Sequence, residues 1–210
     1  MLIININEKK YHSQTILKNV TITIEGAGIY GLVGKNGQGK TTLFRCVLGL
    51  ENYIGNSLIN DKKIALQNVA WCPSEPTLYE DLTANEFYDF YRNLLDLDTT
   101  NSESLFEIPK NKLIKEFSTG MKKKVYLNAI FQKEYPVYFL DEPFNGLDLE
   151  SNYILMRYLV QKSKQSIIII SSHIMDILYN NCTDIFIVKD KNIMKFKKEN
   201  FNQIEKTLFE

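Results

Sequence analysis

The sequence predicts an α/β fold, and three observations support this prediction. The first third carries strand patterns, the middle third is helical, and the last third returns to short apolar strands followed by helix patterns. Residues 137–140 and 166–171 are apolar runs typical of parallel strands buried on both faces. A glycine-rich segment at 34–41 joins an apolar strand to a helix start. This alternation predicts one α/β domain over residues 1–210.

The elements of the first third follow from residue spacing. Val20, Ile22 and Ile24 alternate as in a half-buried strand, whereas Leu43 and Val47 recur at helical spacing. We therefore expect strands over 2–6, 20–25 and 29–33, a helix from Thr41, and a strand over 65–71.

The middle of the chain interrupts this pattern. Residues 76–133 show no strand alternation and predict a helical insertion, with helices near 83–95 and 118–131. The core is then expected to comprise residues 1–75 and 134–210. Its second part is predicted to contain strands over 137–140 and 166–171, each followed by a helix, then a strand pair over 184–189 and 192–196 and a short C-terminal helix.

Composition excludes several classes of function. The 25 Lys and Arg residues balance 25 Asp and Glu residues, so no cationic surface is expected and nucleic acid is not a predicted partner. Three cysteines without a close pair, Cys46, Cys72 and Cys182, argue against a disulfide framework or a zinc site. The longest aliphatic run, 167–170, is far shorter than the roughly 20 residues of a membrane span. With no secretory start, the protein is expected to be cytosolic and to meet membranes only through a partner.

A phosphate-binding loop is the clearest motif in the sequence. Residues 34–41, Gly-Lys-Asn-Gly-Gln-Gly-Lys-Thr, match the Walker A spacing between a strand and a helix. Glycines let successive backbone N–H groups point at phosphate oxygens, and the helix N-terminus adds partial positive charge. A glycine-rich turn without a ligand is the alternative interpretation. The residues predicted to bind nucleotide are Gly34, Asn36, Gly37, Gln38, Gly39, Lys40, Thr41 and Thr42, with Lys40 bridging the β- and γ-phosphates and the Thr41 hydroxyl ligating Mg²⁺.

A pair of carboxylates ends the apolar strand at 137–140, as in a Walker B motif. Asp141 is expected to face Mg²⁺ through water, and Glu142 to orient and deprotonate the attacking water. A surface turn is the alternative interpretation. No Asn-Lys-x-Asp sequence is present, which weakens a GTPase interpretation.

Further motifs follow in order. Residues 117–121 (Phe-Ser-Thr-Gly-Met) open a helix, residues 145–148 (Asn-Gly-Leu-Asp) follow the carboxylates, residues 171–173 (Ser-Ser-His) end a later strand, and Tyr11 precedes the second strand. With these motifs the chain resembles the nucleotide-binding subunits of ATP-binding cassette (ABC) transporters over nearly its whole length. The resemblance implies a P-loop NTPase fold of the ABC type, with a RecA-like core, an antiparallel β subdomain and a helical insertion.

The resemblance also implies roles for single residues. Ser118 and Gly120 match the signature motif, which binds the γ-phosphate across a dimer interface, and Asp148 matches the D-loop aspartate. His173 is expected to hydrogen-bond the γ-phosphate and the attacking water, and Tyr11 to stack on adenine. Plainer alternatives are a serine N-cap for Ser118, a satisfied strand-end histidine for His173 and a packing aromatic for Tyr11.

Two features depart from the family pattern. Ser74 stands where the family usually has a glutamine that meets Mg²⁺; its hydroxyl reaches less far, so Glu75 is an alternative carrier of that contact. Thr119 and Met121 replace the commoner Gly and Gln, as in single-domain ATPases of small export systems.

Two surfaces are predicted within the helical insertion, residues 76–133. Lys122, Lys123 and Lys124 are expected to form a solvated helix face. A groove near Tyr79, Phe87, Tyr88 and Tyr91 is expected to receive a cytoplasmic helix of a permease, or else these aromatics belong to the helix core.

The resemblance implies an ATPase subunit, with ATP and Mg²⁺, that powers a separate multi-span membrane permease from the cytoplasmic face of the membrane. The signature variant favours export of a peptide, bacteriocin or drug. A second cassette is implied as a partner, a homodimer rather than a heterodimer. Two alternatives stay open: a cassette ATPase that acts on ribosomes or DNA, and a weakly active regulatory cassette.

Overall fold

A computed structural model describes residues 1–97 and 104–209 and confirms the α/β class. The strands are β1 (Leu2–Tyr11), β2 (Gln14–Ile24), β3 (Gly28–Val33), β4 (Ile54–Ile59), β5 (Lys62–Lys63), β6 (Val69–Cys72), β7 (Val137–Asp141), β8 (Ile167–Ser171), β9 (Asp184–Lys189) and β10 (Asn192–Lys197). The α-helices are α1 (Lys40–Val47), α2 (Ala84–Leu94), α3 (Thr119–Ile130), α4 (Leu149–Lys162), α5 (Met175–Asn181) and α6 (Ile204–Phe209). Short 3₁₀ helices cover Leu66–Asn68, Ile114–Glu116 and Lys198–Gln203.

The larger sheet places the predicted motifs at one edge. Its strand order is β10-β9-β3-β8-β7-β6, parallel from β9 to β6, with β10 antiparallel at one side. Every residue of β7 and β8 is buried, as their apolar runs predict. Because β3, β8 and β7 are neighbours, the segments that follow their carboxyl ends meet in one place.

The second sheet is antiparallel, in the order β2-β1-β4-β5. Its β1 continues to Tyr11, well past the predicted end at residue 6, because β2 folds back on it as a long hairpin. The strands β4 and β5 were not predicted. The strand expected over 65–71 begins only at Val69, since residues 66–68 form a 3₁₀ turn.

Helix α1 packs between the two sheets. Its Phe44 is fully buried and makes an edge contact with Phe139 of β7, with ring centroids 5.6 Å apart. Leu43 and Val47 belong to the same apolar cluster as Ile4 of β1. Burial of this kind contributes roughly 1.5–3 kcal/mol per large apolar side chain and fixes the N-terminus of α1 at the sheet edge.

The helical insertion begins and ends with defined caps. Thr83 and Glu86 form a reciprocal capping box at the start of α2, and the Ser118 hydroxyl accepts from the Met121 N–H at the start of α3. Residues 98–103, within the predicted 76–133 insertion, lie outside the described part of the chain.

The aromatic groove predicted near α2 is only partly exposed. Phe87 and Tyr88 are buried, so for these two the core interpretation holds. Tyr79 is 60% exposed and packs edge-on against Phe90. Among residues 1–97 and 104–209, no helix combines the length and apolarity needed to cross a bilayer.

Candidate functional site

The phosphate loop forms one wall of a cleft at the sheet edge. It connects β3 to α1, and Gly39 adopts a φ of 104°, which a residue with a Cβ rarely adopts. No side chain of the described residues caps α1, so its first N–H groups face the cleft. The cleft is lined by Tyr11, Ile16, Asn36, Gly37, Gly39, Lys40, Thr41, Thr42, Ser74, Asp141, Glu142, Asn145 and His173.

Lys40 starts α1 and is nearly buried. Its ammonium donates a hydrogen bond to the Gly34 carbonyl at 2.7 Å, which bends the side chain back over the loop. Burial lowers the pKa of Lys40, although the nearby carboxylates Glu142 and Asp141 act in the opposite direction. The loop therefore holds a desolvated cation where a phosphate would supply the missing negative charge.

Asp141 is fixed by hydroxyl groups on both sides. The Thr41 hydroxyl donates to its Oδ2 at 2.6 Å, and the Ser171 hydroxyl at the end of β8 donates to its Oδ1. Only 1% of Asp141 is exposed. This contact brings together the two residues that the sequence predicts around Mg²⁺. Two hard oxygen donors beside a phosphate loop fit Mg²⁺, which usually takes few protein ligands and completes its shell with phosphate and water.

Glu142 follows Asp141 and lines the cleft, and its backbone has an unusual conformation. Its φ is 48°, in the left-handed region, and its N–H donates to both the carbonyl and the hydroxyl of Ser171, at 3.2 and 2.9 Å. A non-glycine residue in this region costs roughly 1–2 kcal/mol, so the surrounding bonds must hold it there.

One oxygen of the Glu142 carboxylate lacks a hydrogen-bond partner among the described residues. Its Oε1 is buried and accepts no hydrogen bond from the described residues. Nε2 of His173 lies 3.0 Å from this oxygen, at ion-pair distance. Burial raises the pKa of Glu142, and the charges of His173 and Lys40 oppose the shift. A buried, under-bonded carboxylate in a cleft is suited to accept a proton from a water placed against it.

One prediction about this region is wrong. Lys122–Lys124 do not form a solvated face: Lys123 is only 4% exposed and donates to the carbonyls of Glu142 and Asn145. The signature helix α3 turns this residue toward the carboxylate turn because it packs against β6 and α2. Lys124 pairs with Asp148 at 2.8 Å, and Lys122 pairs with Glu80.

The signature and D-loop residues lie outside this cleft. Ser118 is exposed at the start of α3, and Gly120 follows on the first turn. Asp148 caps α4 by accepting from the Ser151 N–H at 2.8 Å. Hydrogen bonds from Lys124 and then from Ser151 hold the pKa of Asp148 well below its usual range. Within one chain these three residues have local structural partners, and none of them lines the cleft.

Gly120 is needed for a close approach between the signature helix and the D-loop. A Cβ at this position would stand 2.4 Å from the carbonyl oxygen of Gly146.

We therefore expect Gly120→Ala to lower the free energy of unfolding by about 1–3 kcal/mol, because the backbone of residues 145–148 must move. Urea unfolding measures this value. Gly26→Ala is the matched control, since a Cβ there meets nothing within 4 Å. Equal stability of the two variants would contradict the close contact.

The remaining predicted residues are distributed around the cleft. Tyr11 lines it at the end of β1, with the Lys9 ammonium 4.4 Å from the centre of its ring. Ser74 also lines it, whereas Glu75 does not. Gly34 and Gln38 complete the loop backbone. Three contributors were not predicted as site residues: Ile16 and Asn145, which line the cleft, and Lys123. The place of Asn145, three residues after Glu142, was a usable signal.

The family model described as "ABC transporter" matches residues 17–145, and the chain belongs to this family. Its fold is that of an ATP-binding cassette, the subunit class that binds and hydrolyses ATP.

Particular relatives agree with this class. EcsA of Bacillus subtilis, an ABC-type transporter ATP-binding protein, is 34% identical over 195 residues, covering 85% of this chain and 78% of EcsA. The lantibiotic transport ATP-binding protein SrtF of Streptococcus pyogenes is 31% identical, covering 83% and 81%. A solved structure described as an ATP-binding subunit of an ABC transporter superposes with a TM-score of 0.84 at 27% identity, covering 99% and 94%.

Proposed function

We propose that this chain is the ATPase subunit of an exporter of a peptide, bacteriocin or drug, that it uses ATP with Mg²⁺, and that it drives a separate multi-span permease as a homodimer. The cleft carries this proposal. It brings the phosphate loop, Asp141, Glu142 and His173 into one cavity, while the signature residues remain outside it.

The phosphate loop performs binding and charge compensation. Backbone N–H groups of the loop and of the first turn of α1 would contact the phosphates, apart from that of Gln38, which donates to the Lys35 carbonyl. Lys40 would leave the Gly34 carbonyl to contact the β- and γ-phosphates. Thr41 and Asp141 would hold Mg²⁺, directly and through water, and Ser74, which lines the same cleft, would approach the same ion. When bound, Mg²⁺ neutralises charge on the phosphate oxygens. Tyr11 offers a ring face to adenine.

Hydrolysis is assigned to Glu142 and His173. Glu142 accepts a proton from water as that water attacks the γ-phosphorus, and the bond to the β–γ bridging oxygen breaks. His173 stands 3.0 Å from the same carboxylate, where it can contact both the water and a γ-phosphate oxygen.

One chain supplies only half of the contacts expected around the γ-phosphate. Ser118 and Gly120 open α3 away from the cleft, so a second copy is proposed to present them to the nucleotide head to tail. Asp148 and Gly146 lie beside that helix start and would connect the two sites.

The raised pKa of Glu142 makes a directional pH prediction. The base must be ionised, so turnover at saturating ATP falls as pH drops through the raised pKa of Glu142, above the ordinary carboxyl value of 4.5. The free energy of unfolding is expected to change in the opposite direction. Because the pKa of Glu142 is raised in the folded protein, ionising this residue lowers the stability of the fold as pH rises. Turnover measured from pH 8 down to pH 4.5, with circular dichroism as a folding control, tests this expectation. Constant turnover in the folded protein down to pH 4.5 would contradict it.

Two observations support export and a permease partner: the similarity to a transport protein and an exposed apolar patch on the helical insertion. SrtF, at 31% identity, is a lantibiotic transport protein, and the exposed Tyr79–Phe90 pair offers an apolar patch beside Glu80 and Asp81. Because Glu80 and Asp81 are each already paired with a lysine, a short permease helix would contact this patch through apolar side chains. This contact would place the protein peripherally at the cytoplasmic face of the membrane.

Co-purification tests the proposed partner. The tagged chain is recovered from detergent-solubilised membranes of its native cells, and bound proteins are identified by mass spectrometry. We expect one multi-span membrane protein in near-equal amount, and reduced recovery with Tyr79→Ser but not with Tyr153→Ser, a similarly exposed tyrosine on α4. Recovery with ribosomes instead would favour the translation alternative.

A further inference from the structure

A buried lysine on the signature helix contacts the backbone of the catalytic turn. The Lys123 ammonium donates to the Glu142 carbonyl at 2.7 Å and to the Asn145 carbonyl at 3.1 Å. Its exposed fraction is 4%, so these contacts occur largely away from solvent. No role for this residue follows from the phosphate loop, the carboxylates or the signature serine.

Burying the Lys123 ammonium costs desolvation free energy, and a cation kept at this cost indicates a specific role. Desolvation lowers the pKa of Lys123, while the carboxylates of Glu142, Asp141 and Glu75 oppose that shift. The Cys72 thiol also faces Lys123, but burial raises its pKa to about 12, so it is uncharged near neutral pH. A buried charge persists only where hydrogen bonds satisfy it. Here the acceptors are two main-chain carbonyls of one turn, so the interaction constrains backbone shape more than side-chain position.

The turn that Lys123 holds is the strained one. Glu142 has a φ of 48°, and its N–H is bound on one side by Ser171. On the other side its carbonyl accepts from Lys123 and from the Asn145 N–H at 3.2 Å. Removing the ammonium leaves a single weak bond on that side, and the left-handed conformation then loses much of its support.

We propose that Lys123 is a positioning residue for ATP hydrolysis: its ammonium clamps the Glu142–Asn145 turn and so aims the Glu142 carboxylate into the cleft. The proposal rests on the proposed role of Glu142 as the base. Because Lys123 lies on α3, it also joins the Glu142–Asn145 turn to the helix that Ser118 caps.

The position of Lys123 predicts which kinetic constant changes when it is replaced. Lys123 does not line the cleft, so ATP binding should change little when it is replaced. A carboxylate displaced by about 1 Å loses on the order of 100-fold in rate. The loss should therefore fall on kcat and spare KM.

The test compares Lys123→Met with Lys122→Met, its neighbour on α3, whose ammonium pairs with Glu80 on the surface. We expect kcat to fall on the order of 100-fold for Lys123→Met, with KM for ATP within about twofold of wild type. Lys122→Met should keep wild-type kcat, since exposed pairs contribute little. Lys123→Gln retains an N–H donor and is expected to recover part of the lost kcat. If Lys123→Met fails to fold by circular dichroism, Lys123→Gln replaces it, and its kcat is then expected to lie below that of wild type.

A double variant separates positioning from general weakening of the fold. Lys123→Met combined with Glu142→Gln should hydrolyse ATP no more slowly than Glu142→Gln alone, because Lys123 acts through that carboxylate. A wild-type kcat in Lys123→Met, or a full further loss in the double variant, would overturn the proposal. Wild-type turnover by Glu142→Gln alone would instead overturn the proposed base.

Discussion

Glu142→Gln is expected to slow ATP turnover about 1,000-fold while ATP still binds, because removing a general base costs roughly 100- to 10,000-fold. The amide keeps the size of the side chain and its left-handed backbone but cannot accept a proton. Loss of the buried negative charge beside Lys40 should not weaken binding, since the charge of the carboxylate opposes the phosphates.

Phosphate release measures ATP turnover, and titration with a fluorescent nucleotide measures ATP binding. Glu150→Gln is the matched control, because this exposed glutamate on the first turn of α4 should leave both unchanged. A wild-type turnover no faster than that of Glu142→Gln would contradict the assignment of a catalytic base. It would favour the weakly active regulatory cassette.

Lys40→Met is expected to have the second largest effect, and on binding rather than on turnover. Its ammonium is the desolvated cation of the phosphate loop, and hydrogen bonds to charged groups contribute about 1.5–3 kcal/mol each. Without its hydrogen bonds to the β- and γ-phosphates, the affinity for ATP is expected to fall by at least about 100-fold.

Equilibrium titration with ATP checks this value. Lys35→Met is the comparison, because Lys35 is exposed and its ammonium points toward Phe209. The folded Lys40→Met protein should have the same urea midpoint as wild type or a higher one, because a costly buried cation is removed. Unchanged ATP affinity would contradict the proposed role of Lys40.

The parts of the site that sequence predicts well are those carried by local chemistry. A strand, a glycine-rich loop and a helix predict Lys40 and Thr41 beside phosphate, and an apolar strand ending in two acids predicts Asp141 next to them. The apolar runs of β7 and β8 likewise predict buried neighbours. These features depend on a few adjacent residues, so spacing alone suffices.

Features that depend on distant contacts were missed. The β4 segment contains Gly55, Asn56 and Ser57, residue types uncommon in strands, and it is a strand only because β1 pairs with it. Lys123 belongs to a run of three lysines whose composition suggests solvent. Its burial follows from the packing of α3 on β6 and from two carbonyls that lie about 20 residues further along the chain.

The signature residues show a third limit of prediction from sequence, which is contact between two chains. Ser118 and Gly120 are conspicuous in sequence, yet one chain gives them the roles of a helix cap and a close backbone contact. Their proposed nucleotide contact exists only when a second copy supplies the other half of the site.

That composite site is the central claim, and the mass of the Glu142→Gln protein in solution tests it most directly. Light scattering after size-exclusion chromatography is performed with saturating ATP and Mg²⁺, and again with ADP. We expect twice the mass of one chain with ATP, where the γ-phosphate joins the phosphate loop to the signature helix of the partner, and the mass of one chain with ADP. The mass of one chain under saturating ATP, in a variant that binds ATP, would contradict the claim.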